Sequence, residues 1–133
     1  MGQLFVGLAQ AAFDEALTYA KQRIQGGVPI FEHKNIKLQL FDMFTKVEAA
    51  RAYARRMASH AALNPPGSLH HAIAAKVLST RTAFEVTREA VSIFGGNGLA
   101  KEYPIEKMFR DAIASTIEDG ENNALSLLGA DEL

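Results

Sequence analysis

Residues 36–61, IKLQLFDMFTKVEAARAYARRMASHA, decide the fold. Ile36, Leu40, Met43, Val47, Ala50, Ala54, Met57 and Ala61 recur at alternating spacings of four and three. At ~3.6 residues per turn that stripe runs for about seven turns along one edge of a helix, whereas a strand alternates with period two. One long amphipathic helix is therefore predicted, and a stripe this narrow is buried only when other helices cover it.

Downstream, Asn64-Pro65-Pro66-Gly67 ends that helix, because proline lacks the donor and the torsional freedom a helix needs. Ser68 is the expected cap of the next one. Ile73, Val77, Thr80, Phe84, Thr87 and Val91 repeat the four-three spacing, which predicts a helix antiparallel to the first across a short loop. Upstream, a helix over 4–23 is expected to bury Leu4, Leu8, Ala11, Ala12, Ala16 and Tyr19 and to expose Gln3, Gln10, Asp14, Thr18 and Lys21. Gly26-Gly27 and Pro29 stop it. Gly95-Gly96-Asn97-Gly98 breaks the third helix, and Pro104 is expected at the first position of a short segment reaching Ala112. Ser115 to Glu118 has capping-box spacing, but Gly120 directly beyond predicts an irregular turn before a last helix from about Glu121 to Leu128. No strand-like alternation of useful length occurs. The fold class is all-α, an up-down four-helix bundle in one domain over residues 1–133.

Composition narrows the function. With 48% hydrophobic and 22% charged residues, the chain has an ordinary globular mixture, and 14 basic against 15 acidic side chains leave a net charge of −1. That balance favours neither nucleic acid nor an anionic membrane as a partner. Absence of cysteine excludes disulfides, thiolate metal sites and cysteine nucleophiles and suits a reducing, cytoplasmic setting. No apolar run reaches the ~18 residues of a membrane helix, and Met1-Gly2-Gln3 lacks a basic signal-peptide flank. Met1 falls on the first helix without a lead-in, as expected of a piece cut from a longer chain.

Few residue groups point to chemistry on their own. His33, His60, His70 and His71 have no metal-ligand spacing, so no metal is expected. Arg23 beside a glycine turn has the paired donors to hold a phosphate, although an arginine ending a helix is commonly a dipole partner. The cluster Gly95 to Gly98 lets backbone amides approach a ligand, yet it lacks the strand-turn-helix context of a nucleotide fingerprint and reads first as a helix stop. Glu118 and Asp119 could serve as a base if partly buried, and otherwise are solvated loop acids. Glu106, Lys107, Arg110 and Asp111 are expected to form salt bridges on a helix surface.

Taken together, several segments resemble the C-terminal helical domain of the acyl-CoA dehydrogenases. Residues 6–16, VGLAQAAFDEA, with Tyr19-Ala20-Lys21-Gln22-Arg23, then Pro29-Ile30-Phe31-Glu32-His33 and Met43, follow the family pattern in order. The most specific match is residues 90–98, AVSIFGGNG, continuing through Glu102-Tyr103-Pro104-Ile105-Glu106-Lys107 to Arg110-Asp111-Ala112. The resemblance covers nearly the whole chain.

It implies an FAD enzyme in which a carboxylate takes the α-proton of an acyl-CoA thioester while the β-hydride passes to the flavin, with an electron-transfer flavoprotein as electron acceptor. It places Asp119 at the base position, with Glu118 and Gly120 beside the substrate. Some members of the family carry the base on the first helix instead, near Met1. It places Arg23, Gln25, His33, Ile36, Ser92, Ile93 and Gly96 against the FAD of a neighbouring subunit, which implies a homo-oligomer, dimer or tetramer. The N-terminal helical and β domains that complete the site are absent from these 133 residues, so the isolated chain is expected to be inactive. Three positions depart from the pattern: Gly26 replaces a phenylalanine, Ser92 a glutamine, and Glu121 stands where a threonine meets the cofactor. Those departures motivate one rival, a non-catalytic oligomerisation module; a flavin oxidase relative is a second alternative, because a helical bundle alone does not set whether oxygen reaches the flavin.

Overall fold

A computed structural model describes residues 2–133; the start at Met1, read above as lacking a lead-in, lies outside the described residues. Helices α1 (Gly2–Gln22), α2 (Lys34–Leu63) and α3 (Leu69–Phe94) are long, and α4 (Ile105–Ser115) and α5 (Asn122–Ala130) are short. The long helices run up, down and up. Gly2 lies against Ala75 and Tyr19 against Phe94, so α1 and α3 are parallel. Gln39 meets Glu89, and Tyr53 meets His71, so α2 is antiparallel to α3. Both short helices pack on α3, which touches all four others and forms the axis of the bundle.

On α2, Leu40, Met43, Val47, Ala50, Ala54 and Met57 are buried, as the four-three stripe predicts, while Ala61, beside the connection to α3, is exposed. On α3 the two threonines of the stripe are fully buried, and each hydroxyl donates to a carbonyl one turn back, Thr80 to Lys76 O at 3.0 Å and Thr87 to Ala83 O at 2.7 Å. Such back-bonding removes the cost of burying a hydroxyl and lets the neighbouring helix approach.

The phase of α1 differs from the predicted one. Leu4 is 66% exposed, and the buried edge is Phe5, Ala9, Ala12, Ala16 and Ala20, with Val6 beside it. A row of alanines carries little hydrophobic weight in a sequence but permits close packing of α1 on α3. Three local details also differ. Ser68 occupies the N-cap position of α3, but its hydroxyl makes no capping bond. Pro104 is the residue before α4, which extends past Ala112 to Ser115. Between α1 and α2 the chain forms a two-residue antiparallel ribbon, β1 (Ile24–Gln25) with β2 (Val28–Pro29), around Gly26 and Gly27 at φ +65° and +82°. Positive φ at both central residues is the tight hairpin geometry that favours Gly-Gly, and it is too short to leave an alternating pattern.

Among the described residues no helix is long and apolar enough to cross a membrane. The charges of α4 pair as expected, Arg110 with Glu106 at 2.8 Å and Lys107 with Asp111.

Candidate functional site

Two regions hold the residues singled out by sequence, one at each end of α3. At its C-terminal end a cavity of ≈ 440 Å³ is lined by Arg23, Gln25, His33, Ile36, Ser92, Ile93 and Gly96, together with Asn35 and Asn97. All seven residues of the expected cofactor set thus come together. The hairpin brings Arg23 and Gln25 beside His33 because Ile30 N–H donates to Arg23 O at 2.8 Å, closing the connection between α1 and α2. His33 Nε2 lies 3.1 Å from Gln25 O, a contact that requires the proton on Nε2.

Opposite, the turn after α3 begins at Gly95 with φ +60° and continues as a 3-10 segment from Gly95 to Leu99. A Cβ added to Gly95 or Gly96 would meet nothing within 4 Å, so both backbones are open to a ligand. This turn is anchored from below: Asn97 Nδ2 donates to Tyr19 Oη at 3.0 Å, and the Tyr19 ring stacks on Phe94 at 4.0 Å. Arg23 is exposed and takes part in no ion pair among the described residues.

The second region is the turn between α4 and α5. Glu118, Asp119 and Gly120 are exposed there and line none of the first cavity. Asp119 has φ +52°, and among the described residues it is the one non-glycine in the left-handed region. Aspartate tolerates that conformation better than most residues, yet it persists only where the surroundings enforce it. Glu121 caps α5: its Oε2 accepts from Asn123 N at 2.9 Å and Ala124 N at 3.0 Å. Those two backbone hydrogen bonds hold its carboxyl below the ordinary value. Its charge is therefore turned onto the amides of its own helix.

Sequence reasoning missed Lys76 and Asn122 beneath this turn and read Thr80 only as part of the packing stripe. Lys76 Nζ donates to Gly120 O at 2.7 Å and to Asn122 Oδ1 at 2.9 Å. Burial pushes the Lys76 ammonium below the usual lysine value, and Asp119, Glu121 and Glu118 act against that shift. A signal was present, since Lys76 stands three residues after Ile73 and four before Thr80, on the buried stripe.

From Lys76 to Ser92 the distance along α3 is about 24 Å at ~1.5 Å per residue, so one copy of the domain keeps the two regions far apart.

The chain matches the family model described as "Acyl-CoA dehydrogenase, C-terminal domain" over residues 2–133. It is 36% identical over its full length to the cyclohexane-1-carbonyl-CoA dehydrogenase of Geobacter metallireducens, of which it covers 35%. Over 88% of its length it is 40% identical to the short-chain-specific acyl-CoA dehydrogenase of Megasphaera elsdenii, covering 30% of that protein. Among solved structures it superposes on butyryl-CoA dehydrogenase from Megasphaera elsdenii with a TM-score of 0.93, at 35% identity, over 98% of this chain and 34% of that one. The chain spans about a third of the length of these relatives. From its sequence pattern, its bundle and these likenesses, the chain belongs to the acyl-CoA dehydrogenase family and corresponds to its C-terminal helical domain.

Proposed function

We propose that these residues form the C-terminal domain of an FAD-dependent acyl-CoA dehydrogenase that oxidises an acyl-CoA thioester between Cα and Cβ. The carrying observation is that Arg23, Gln25, His33, Ile36, Ser92, Ile93 and Gly96 line one cavity. Its chemistry fits a phosphate-bearing cofactor: a guanidinium that forms no ion pair among the described residues, amide and imidazole groups, and two glycines, Gly95 and Gly96, at which an added Cβ would meet nothing within 4 Å. Gly26, which replaces a bulky aromatic, supplies the positive φ of the hairpin, and a Cβ there would approach His33 Cε1 to 3.4 Å. Glu121 does not disqualify the site, because its carboxylate is taken up by the first amides of α5.

FAD, when bound, supplies the hydride acceptor for Cβ. Arg23 would hold phosphate oxygens, with Gln25, His33 and Ser92 offering polar contacts and Ile36 and Ile93 apolar ones. Asp119 would accept the α-proton on a carboxylate oxygen, with Glu118 and Gly120 shaping the substrate side of the turn. The span of about 24 Å along α3 between the base turn and the cavity supports a shared site, in which the cavity of one subunit serves the FAD of its neighbour. A homo-oligomer, dimer or tetramer, is then part of the site, and the upstream helical and β domains supply the remaining walls.

Electrons would leave to an electron-transfer flavoprotein, and the cysteine-free composition suits a reducing, cytoplasmic setting. Asp119→Asn in the complete enzyme tests the assignment. Flavin content should be unchanged, while bleaching by acyl-CoA slows by about 10²–10⁴-fold, the usual worth of a positioned base. Unchanged bleaching would move the base elsewhere, the first helix being the next place to look.

A further inference from the structure

Lysine is almost never fully buried unless paired, yet Lys76 on α3 is 8% exposed. No carboxylate lies within ion-pair distance of it among the described residues. Its ammonium is spent instead on a neutral carbonyl, Gly120 O at 2.7 Å, and a neutral amide, Asn122 Oδ1 at 2.9 Å. Asn122 is itself buried and fixed at its other end, where Nδ2 donates to Thr80 Oγ1 at 2.9 Å. The backbone N–H of Asn122 donates to Thr116 O at 3.0 Å, closing the turn from the α4 side. Asp119, with its left-handed backbone, lies between these two clamps.

An apolar side chain could fill the same space without the desolvation of a charge. What it could not do is fix the Gly120 carbonyl, and with it the Gly120–Glu121 peptide, one residue past Asp119. We propose that Lys76 is a positioning residue for Asp119: anchored on the central helix, it clamps the Gly120 carbonyl and the first residue of α5, and so sets the direction in which the Asp119 carboxylate leaves the turn. The inference rests on the reading of Asp119 as the base and adds a residue that acts through it. Thr80 and Asn122 complete the device, because together they fix the orientation of the amide that Lys76 holds.

The test uses the complete FAD-loaded enzyme with Lys76→Met, which removes the donors, and Lys76→Arg, which keeps the cation and its donors. Lys76→Met should lower kcat about 10–100-fold, as expected for a displaced catalytic group, with flavin content and the KM for acyl-CoA held within about twofold. Lys76→Arg should recover most of that loss. Hydrogen-exchange mass spectrometry should find the turn 116–122 protected in the wild type and faster in Lys76→Met, with α2 unaffected. A Lys76→Met enzyme that keeps kcat, or one that loses activity only in step with flavin and is not rescued by arginine, overturns the proposal. If Lys76→Met fails to fold, the wild-type exchange decides, because a turn that exchanges freely is not clamped. The two failures separate: an active Asp119→Asn sinks the base assignment, whereas an inactive Asp119→Asn beside a fully active Lys76→Met sinks the clamp alone.

Discussion

Lys76 and Lys46 illustrate how opposite surroundings give opposite pH behaviour to the same side chain. Burial holds Lys76 below the lysine value of 10.5, so between its folded-state pKa and 10.5 the unfolded chain binds the proton that the folded chain has lost. Stability of the wild type relative to Lys76→Met should therefore rise with pH through that window. Hydrogen bonds to Asp42 and Glu85 raise Lys46, so its contribution is full below 10.5 and is lost as pH rises through its higher folded pKa. Urea melts of the wild type, Lys76→Met and Lys46→Met across the alkaline range check both signs, and parallel curves for the two variants would contradict them. At this scale the seven residues proposed to contact FAD could be singled out because they sit in the quoted motifs, and the structure brings them to one cavity. Lys76 was not, because a lysine among apolar residues reads as a solvated break in the stripe until α5 is known to cover it.

Among elements, α2 was legible because Leu, Met and Val mark its buried edge strongly. The phase of α1 was not, because its contact with α3 runs along Ala9, Ala12, Ala16 and Ala20, whose small side chains give the periodicity little weight. The hairpin between α1 and α2 could be read as a glycine stop but not as a ribbon, since its strands are two residues each. The turn after α3 gives a sharper test of close approach. A Cβ on Gly98 would fall 2.6 Å from Val91 O and 3.0 Å from Val91 Cα, both backbone atoms that cannot swing away. Gly98→Ala should cost about 1–3 kcal/mol by overpacking, read as a lower midpoint in a denaturant melt. Because Gly98 belongs to the turn that forms one wall of the cavity, FAD affinity should fall as well. A variant as stable as the wild type would show that the turn relaxes easily.

Across the whole molecule, an apolar groove of ≈ 740 Å³ is lined by Phe13, Phe31, Leu38, Leu40, Phe41 and Phe44. Leu38 is 72% exposed and Phe41 68%, and contiguous apolar surface of this kind seldom stays solvated. The chain should self-associate through it, and Phe41→Glu should shift the population toward monomer in light scattering. Unchanged mass in that variant would place the contact elsewhere. Self-association also bears on the central claim, which is that the cavity at one end of α3 and the base turn at the other serve flavin sites shared between subunits. The direct measurement is the visible spectrum of the protein purified with the sequence that precedes this domain in its gene, before and after addition of an acyl-CoA. The account predicts a yellow protein that carries FAD, loses its colour on reduction by the thioester, and carries less FAD when Arg23 is replaced by alanine. A colourless product that cannot be reconstituted with FAD would contradict it and leave the bundle as an assembly module.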